Sequence, residues 1–300
     1  MISSIHEILS DISVERLKGY VKSIEGLRHG WENYDEIEKR AKFIENTFRS
    51  FELKVENQYL SFHGKTYRNI IATMEGIKIN SENILLGAHY DAAWGSPGAD
   101  DNGSGVAVLL EAANILSKQN FNKTVQFVAF TLEEPQPQTI HFLIGSDHFV
   151  KEAKKSKKRY EAVFILESVG YTDKAEGSQV VPIFVRIPVP RKGDFLGIIA
   201  NRRSRHIMDA FYSISREYSP ELKIVTYKVP LSGRIIPETR FSDHASFWNY
   251  GYPALMLTDT AMFRNPHYHT HRDSFETLDF TFIFNVTKAV VSVILMLGNN

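Results

Sequence analysis

Five short apolar runs are the feature of this sequence that most limits the folds open to it. Each run is bounded by polar or turn residues, and they lie at 69–74, 83–88, 125–130, 162–166 and 254–257. Several are rich in Val, Ile and Phe, as is typical of strands that are buried on both faces. Helical patterns separate them, notably at 104–117 and 141–154. This alternation predicts a three-layer αβα fold, in which helices flank a mostly parallel, mixed central sheet.

Length and hydrophobic content limit the number of domains. The chain has 300 residues, of which 43% are hydrophobic, and this is enough to bury one large core. We therefore predict a single domain over residues 1–300, with two amphipathic helices within residues 13–51. Residues 171–240 are harder to assign, and we interpret them as a candidate insertion that shapes the pocket. The basic run at 151–159 is typical of a solvated helix end.

Charge and cysteine content argue against several classes of function. Lys plus Arg equals Asp plus Glu at 35 each, so the net charge favours neither a nucleic acid nor an anionic membrane as partner. Because the chain has no Cys, imidazole and carboxylate groups must hold any metal, which favours zinc, manganese or cobalt. The N-terminus has no recognisable signal peptide, and no run of about 18 apolar residues is evident. We therefore expect a cytoplasmic protein, and its oligomeric state stays open.

Acidic and imidazole side chains follow the predicted strands, at the point where each strand ends. Open α/β sheets bind their ligands at that edge. Two further acids lie in the Gly-rich turn GADDNGSG, at the start of a predicted helix. The side chains that we expect to converge there are His89 and Asp91, Asp100 and Asp101, Glu133 and Glu134, Glu167, and His269.

Each of these features alone has a simpler interpretation. A lone His-x-Asp is more often a hydrogen-bonded surface pair, and adjacent Glu residues usually face solvent. The turn GADDNGSG alone would fit an ordinary helix cap. The histidines around His269 would fit a polar loop equally well. Glu167 is harder to dismiss, because a carboxylate at a buried strand end is costly without a cation or hydrogen-bond partners. It is the joint occurrence of these features that favours a metal site.

As a set, these motifs resemble the M28 family of co-catalytic zinc aminopeptidases. They occur in the order of that family and extend over most of the chain, from about residue 17 to its end. The resemblance implies the αβα fold of zinc exopeptidases, which is also called phosphorylase/hydrolase-like. The matching segments are GAHYDA (87–92), PGADDNGSG (97–105), FTLEE (130–134), FILESVG (164–170), FSDHASFWNYGYPALML (241–257) and YHTHRDSFETLD (268–279).

The resemblance implies a site for two zinc ions, with manganese or cobalt as alternatives. His89 and Glu167 would bind the first ion, and Asp91 would lie behind His89 and fix the tautomer of its imidazole. Asp101 would bridge the two ions. Its peptide bond to Asn102 would be cis, as is usual in such enzymes.

The same resemblance implies the remaining ligands and the catalytic groups. Glu134 and His269 would bind the second zinc ion, and Glu133 would be the general base. Tyr268 matches a tyrosine that hydrogen-bonds the developing oxyanion in some members of the family. The chain departs from the family at Glu167, where Asp is common, and the longer side chain would alter the fine geometry of the site.

Together, these assignments predict a metallo-exopeptidase that removes N-terminal residues from peptides. A water molecule bridged between the two zinc ions would attack the carbonyl, and Glu133 would carry its proton to the leaving nitrogen. The expected partner is therefore a peptide substrate. Asp243 and His244, in the SDH segment, are candidates for supporting the ligands or lining the pocket.

Three alternatives stay open at the level of the sequence. A glutaminyl cyclase-type acyltransferase shares the fold but uses one zinc ion, and a non-catalytic relative would keep the scaffold as a binding module. A carboxypeptidase or dipeptidase of the same fold would need a cationic pocket for the carboxylate of its substrate. The arginines available for such a pocket are Arg191, Arg202, Arg203, Arg205, Arg234 and Arg240.

Overall fold

Helices pack on both faces of a central sheet. The computed structural model of the protein describes residues 4–78, 81–137, 142–182, 185 and 187–300. Within these ranges the helices, in chain order, are α1 (Ile5–Ser10), α2 (Val14–Ile24), α3 (Tyr34–Ser50), α4 (Gly105–Leu116), α5 (Ile144–Lys155), α6 (Arg205–Tyr218), α7 (His244–Asn249) and α8 (Phe280–Asn299).

The strands form one mixed sheet. In chain order they are β1 (Lys54–Phe62), β2 (Lys65–Met74), β3 (Asn83–His89), β4 (Val125–Phe130), β5 (Tyr160–Glu167), β6 (Leu196–Ala200), β7 (Ile224–Lys228) and β8 (Ala254–Thr258). Their order in the sheet is β1-β2-β4-β3-β5-β8-β6-β7. The central strands β4, β3, β5 and β8 are parallel, whereas β1, β2 and β6 each pair antiparallel with a neighbour. The predicted αβα class with a mixed sheet is confirmed.

The central strands are buried on both faces, which explains their continuous apolar character. In β3, Ile84, Leu86 and Ala88 belong to the core that α2, α4 and α8 cover. Leu85 points to the opposite face and packs in the smaller core beneath α5 and α7. Successive side chains of a strand alternate between the faces, so both faces must be apolar. Burial of each such side chain contributes about 1.5–3 kcal/mol to stability.

The two amphipathic helices predicted near the N-terminus are α2 and α3. Their apolar positions are fully buried, namely Leu17, Val21, Ile24, Ile37, Ala41, Ile44 and Phe48. The buried carboxylate of Glu111 on α4 accepts the N–H of Ser13 at 2.8 Å and bonds of 2.7 and 2.9 Å from the guanidinium of Arg16. These bonds attach α2 to α4. The segment after α2 reaches the carboxyl end of β3, where Arg28 donates to the carbonyl of Tyr90.

The predicted helices at 104–117 and 141–154 correspond to α4 and α5, although residue 141 itself lies outside the described residues. The region 171–240 contains β6, α6 and β7, so part of it extends the sheet beyond β8. Residues 179–182, 185, 187 and 189 of this region line a cavity beside β5. The expectation of a single domain over residues 1–300 stays a prediction.

The last helix, α8, has the length and mean hydropathy of a membrane span, although Asn285 and Lys288 interrupt its apolar run. Helix α8 meets both criteria over its 20 residues, with a mean hydropathy of 2.0. Within the structure, 61% of that helix window is buried, and it packs against α2, α4 and α6. Burial inside the core accounts for this apolar composition without a membrane. The absence of a membrane partner stays a prediction.

Candidate metal centre

The carboxyl ends of three neighbouring strands carry the acidic and imidazole groups of the site. His89 is the last residue of β3 and Glu167 is the last residue of β5. Glu133 and Glu134 follow three and four residues after β4 ends at Phe130. Because β4, β3 and β5 are parallel neighbours, these side chains reach the same edge of the sheet.

Asp101 lies between two imidazoles. Its Oδ1 atom lies 3.2 Å from Nε2 of His89, and its Oδ2 atom lies 3.0 Å from Nε2 of His269. The two oxygens of one carboxylate therefore face two different imidazole nitrogens. This is the arrangement that a bridging carboxylate requires.

Two further carboxylates complete a triad on each side of Asp101. Oε2 of Glu167 lies 3.4 Å from Nε2 of His89, and Oε2 of Glu134 lies 3.4 Å from Nε2 of His269. In each triad, one potential ligand atom from every member lies within 4.8 Å of the others; the triads are His89–Asp101–Glu167 and Asp101–Glu134–His269. Glu133 is more distant, with its Oε2 atom 3.9 Å from Nε2 of His89, although it forms a third such group with His89 and Glu134.

The donor atoms fit a bound cation because several of them lack any other partner. Within the described part of the chain, Nε2 of His89, Oδ1 of Asp101 and Oε1 of Glu134 are buried and accept or donate no hydrogen bond. A buried polar atom left in this state costs about 1–3 kcal/mol. A divalent cation between these atoms would satisfy them, and imidazole and carboxylate are ligands that zinc accepts.

The electrostatics of the cluster also favour positive charge. Burial raises the pKa of Glu133 well above its usual value, and burial together with the charge of Asp101 raises the pKa of Glu134 to about 7. Burial opposes the charged form of His269, yet hydrogen bonds with Asp101 and Glu134 raise its pKa to about 11. The pKa of His89 likewise lies well above its usual value, because the charges of Glu133 and its neighbours outweigh burial. Bound metal ions would supply the positive charge that protons on these carboxyl and imidazole groups otherwise supply.

Asp91 supports three site residues at once. Its fully buried carboxylate accepts the N–H groups of Glu133 and Glu134, each at 3.1 Å. Its Oδ1 atom also lies 3.4 Å from Nδ1 of His89, on the side of the ring away from Asp101. Asp91 therefore orients both the imidazole at the end of β3 and the acidic loop after β4.

The turn that carries Asp101 is fixed by its neighbour. The peptide bond between Asp101 and Asn102 is cis, as the resemblance implied. The side chain of Asn102 donates to the carbonyl of Leu166 at 2.8 Å and accepts the N–H of Ser168 at 3.1 Å. These bonds tie the turn to the end of β5, where Glu167 lies.

Arg28 and Asp273, beside the cluster, were not identified from the sequence, and Ser242 was noted only as part of the SDH segment, whose role stayed open. The hydroxyl of Ser242 donates to Oε2 of Glu167 at 2.7 Å, and the carboxylate of Asp273 accepts N–H groups of the turn before Asn102. Arg28 is fully buried behind the same turn. Ser242 and Asp273 lie within two of the segments that carry the family resemblance, which was an available signal. Nothing local in the sequence marks Arg28.

The other predicted site residues lie at the margin of the cluster. The ring of Tyr268 stacks on that of His269 with centroids 3.8 Å apart. Asp243 is fully buried, and burial raises its pKa to about 7. His244 points away from the cluster, because its Nε2 atom pairs with the carbonyl of Thr239 at 2.9 Å and its ring packs against Trp248.

A cavity of about 110 Å³ lies beside the cluster, and Glu167 and Tyr268 form part of its wall. The rest of the wall is mainly apolar and includes Val180, Phe195, Ile199, Val225, Met256 and Phe263. Among the described residues that line it, the charged ones are Glu167 and Glu238. The cavity is therefore suited to an apolar group attached to a cationic or neutral one.

The sequence pattern of Peptidase family M28 matches residues 69–294, which is most of the chain. The chain belongs to peptidase family M28. Among similar sequences, the uncharacterized protein YfbL of Escherichia coli (strain K12) is 32% identical over 276 residues, which cover 88% of this chain and 81% of YfbL. A probable leucine aminopeptidase of Arthroderma otae is 28% identical over 252 residues, covering 79% of this chain. The alignment spans 57% of that fungal relative.

Solved structures share the fold of this M28 protein. The LapA aminopeptidase of Legionella pneumophila superposes with a TM-score of 0.77 at 19% identity, covering 99% of this chain and 75% of LapA. A glutaminyl cyclase of Porphyromonas gingivalis gives a TM-score of 0.71 at 20% identity, covering 95% and 99% of the two chains. The zinc aminopeptidase BSAP of Bacillus subtilis gives 0.61 at 24% identity, with 79% and 52% covered. At these identities the likeness establishes the fold alone.

Proposed function

We propose that this M28 protein is a zinc-dependent aminopeptidase that uses two metal ions. The observation that carries the proposal is the position of Asp101, whose two carboxylate oxygens lie 3.2 Å and 3.0 Å from the Nε2 atoms of His89 and His269. Such a carboxylate can contact two cations at once, which a single-metal site does not need. The names of the fungal relative and of two of the structural neighbours support the peptidase class.

The proposed ligands are divided equally between two zinc ions. His89 and Glu167 would bind one ion, Glu134 and His269 would bind the other, and Asp101 would bind both. Three protein ligands for each ion leave a coordination position free, as is usual in catalytic zinc sites. Asp91 would hold the imidazole of His89 in the tautomer that presents Nε2 to the metal.

Glu133 is the proposed general base. When bound, the two zinc ions would polarise the carbonyl of the substrate and make a water molecule more acidic. Glu133 would accept the proton of that water and deliver it to the nitrogen of the departing amine. Burial raises the pKa of Glu133 well above its usual value, and a more basic carboxylate is a better acceptor for the proton. The hydroxyl of Tyr268, on the cavity wall, would donate a hydrogen bond to the carbonyl oxygen.

The cavity supports cleavage at the amino end of the substrate. Apart from Glu167, which is a proposed zinc ligand, the charged described residue of the cavity wall is Glu238. Its negative charge favours the ammonium group of an N-terminus over a C-terminal carboxylate. Three of the six arginines that the carboxypeptidase alternative could use have other partners. Arg191 pairs with Glu176, Arg203 donates to the carbonyl of Gly251, and Arg240 donates to the carbonyl of Ser232. The apolar wall suits a substrate with an apolar first residue.

Metal content tests the number of ions. Purified protein, saturated with zinc and then passed through a desalting column, should retain about two zinc ions per chain, because two triads share Asp101. Elemental analysis by mass spectrometry, with protein concentration from amino-acid analysis, gives the ratio. A ratio near one would favour the glutaminyl cyclase-type alternative, since a glutaminyl cyclase shares the fold of this chain. A ratio near zero would favour the non-catalytic binding module.

A matched substrate pair tests which end of the peptide is recognised. Leucyl-p-nitroanilide should be cleaved, and acetylation of its amino group should lower kcat/KM at least about 100-fold, because the acidic wall would lose its cationic partner. A leucyl dipeptide with free or amidated C-terminus serves as the second pair and should show little difference. Preference for the free carboxylate, or indifference to acetylation, would contradict aminopeptidase specificity.

A further inference from the structure

The turn that carries Asp101 is held from two sides by buried charged side chains that are not among the proposed ligands. Arg28 approaches it from the segment after α2, and Asp273 approaches it from the loop that carries His269. Both side chains are fully buried. Arg28 also lies outside residues 69–294, the span that the family pattern matches.

Arg28 joins the turn to the end of β3. Its guanidinium donates to the carbonyl of Tyr90 at 2.8 Å and to that of Gly98 at 2.8 Å, and it also donates to the carbonyls of Pro97 and Gly26. Tyr90 lies between His89 and Asp91, so one planar group connects the strand end that carries the imidazole with the turn that carries the carboxylate. A lysine has no planar fork that could make these bonds together.

Asp273 joins the same turn to the loop of the second imidazole. Its carboxylate accepts the N–H of Asp100 at 2.8 Å and the N–H of Asp101 at 3.0 Å. The backbone carbonyl of Asp273 accepts the N–H of Ala99 at 3.1 Å. Three successive N–H groups of the turn are thus held by one residue, four positions after His269.

The backbone of the turn requires a glycine at position 98, and Arg28 packs closely against it. Gly98 has a positive φ of 60°, and a Cβ atom added to it would lie 2.8 Å from the guanidinium of Arg28. It would also lie 2.4 Å from the carbonyl oxygen of Asp101. A side chain at position 98 would push Arg28 and the turn apart. The glycine therefore allows the close contact between them.

We propose that Arg28 and Asp273 are positioning residues, which set the place of the Asp101 carboxylate between His89 and His269. The inference rests on the proposed function, since it concerns the bridging role of Asp101. Neither side chain touches substrate or metal. Each acts through the backbone, Arg28 by fixing the distance from the turn to His89 and Asp273 by fixing the distance from the turn to His269. A bridging carboxylate must satisfy both distances at once, so loosening either side weakens metal binding.

The test uses conservative variants and controls that carry the same kind of bond elsewhere. Arg28→Lys keeps the charge but removes the fork, and Asp273→Asn keeps the shape but removes one acceptor. The matched controls are Arg16→Lys, which weakens the bonds to buried Glu111, and Asp279→Asn, whose carboxylate accepts two N–H groups at the start of α8. Zinc affinity is measured by competition with a chelating dye, and the thermal midpoint of each metal-free variant is measured separately.

Both site variants should bind at least one zinc ion about 10–100-fold more weakly, as is typical of residues that orient metal ligands. The zinc affinity of the control variants should stay within about threefold of that of the parent. This should hold even where the thermal midpoint of a metal-free control falls as far as that of a site variant. Site variants that keep the parent's zinc affinity while their midpoint falls would overturn the inference and leave the proposed function intact. If Arg28→Lys does not fold, the zinc affinity of Asp273→Asn tests the inference by itself. A parent protein that binds no zinc would instead reject the proposed function itself.

Discussion

Glu133→Gln should lower kcat by about 10²–10⁴-fold while the protein keeps its zinc and its fold. Glutamine has the shape of glutamate but cannot accept the proton of the attacking water. Glu133 is outside the two triads that share Asp101, and its Oε2 atom lies 3.9 Å from Nε2 of His89, farther than the corresponding atoms of Asp101 and Glu167. Turnover of leucyl-p-nitroanilide and zinc content, measured on the same preparation, separate the two effects.

The matched control for Glu133→Gln is the same change at Glu152, which is an exposed partner of Lys155 on α5. It should leave both zinc content and kcat near those of the parent. A Glu133→Gln variant that stays active would remove Glu133 from the mechanism. A variant that loses zinc would make Glu133 a ligand instead, which the third group of His89, Glu133 and Glu134 would allow.

Asp101→Ala should remove more zinc than any other single substitution in the cluster, and activity should be lost with it. The reason is that Asp101 belongs to both triads, whereas each of the other four proposed ligands belongs to one of them. The loss of zinc affinity should exceed the loss of about 10–100-fold that is typical when a residue that orients a metal ligand is replaced. Equilibrium dialysis against buffered zinc, followed by elemental analysis, measures it.

Two comparisons make the Asp101 result specific. His269→Ala removes a ligand from one triad, so it should weaken the binding of one ion more than that of the other. Far-ultraviolet circular dichroism of the metal-free proteins shows whether the fold is kept. If Asp101→Ala retained two zinc ions per chain, the carboxylate would not bridge and the two-ion proposal would be wrong.

Much of the sheet could be predicted because its strands are buried on both faces. A strand such as β3 must be apolar at consecutive positions, and that pattern is local and visible in the sequence. The same reasoning located the site, since parallel strands bring their carboxyl ends to one edge. His89 and Glu167, each at the end of its strand, were identified in this way. Their roles as ligands came from the family resemblance and stay a proposal.

Other features could not be predicted because they depend on contacts between distant segments. The sequence does not reveal that β2 would pair antiparallel with β4, or that part of the region 171–240 would extend the sheet. Helix α8 illustrates the opposite problem: its composition fits a membrane span, and burial against α4 and α6 gives a different reason for it. His244 was a candidate for the site, yet its ring turns towards Thr239.

The residues that end each strand can be read directly from the amino-acid sequence, and they predict that imidazole and carboxylate groups meet at one edge of the sheet. The position of Asp101 between His89 and His269 follows from the three-dimensional structure alone, since His269 is 168 residues further along the chain (269 − 101). The same is true of Arg28 and Asp273, which hold the turn of Asp101 from behind. The physical reason is the range of the forces involved. Strand and helix patterns reflect burial of neighbouring residues, whereas the distance between two ligands is set by strand order and by hydrogen bonds across the chain.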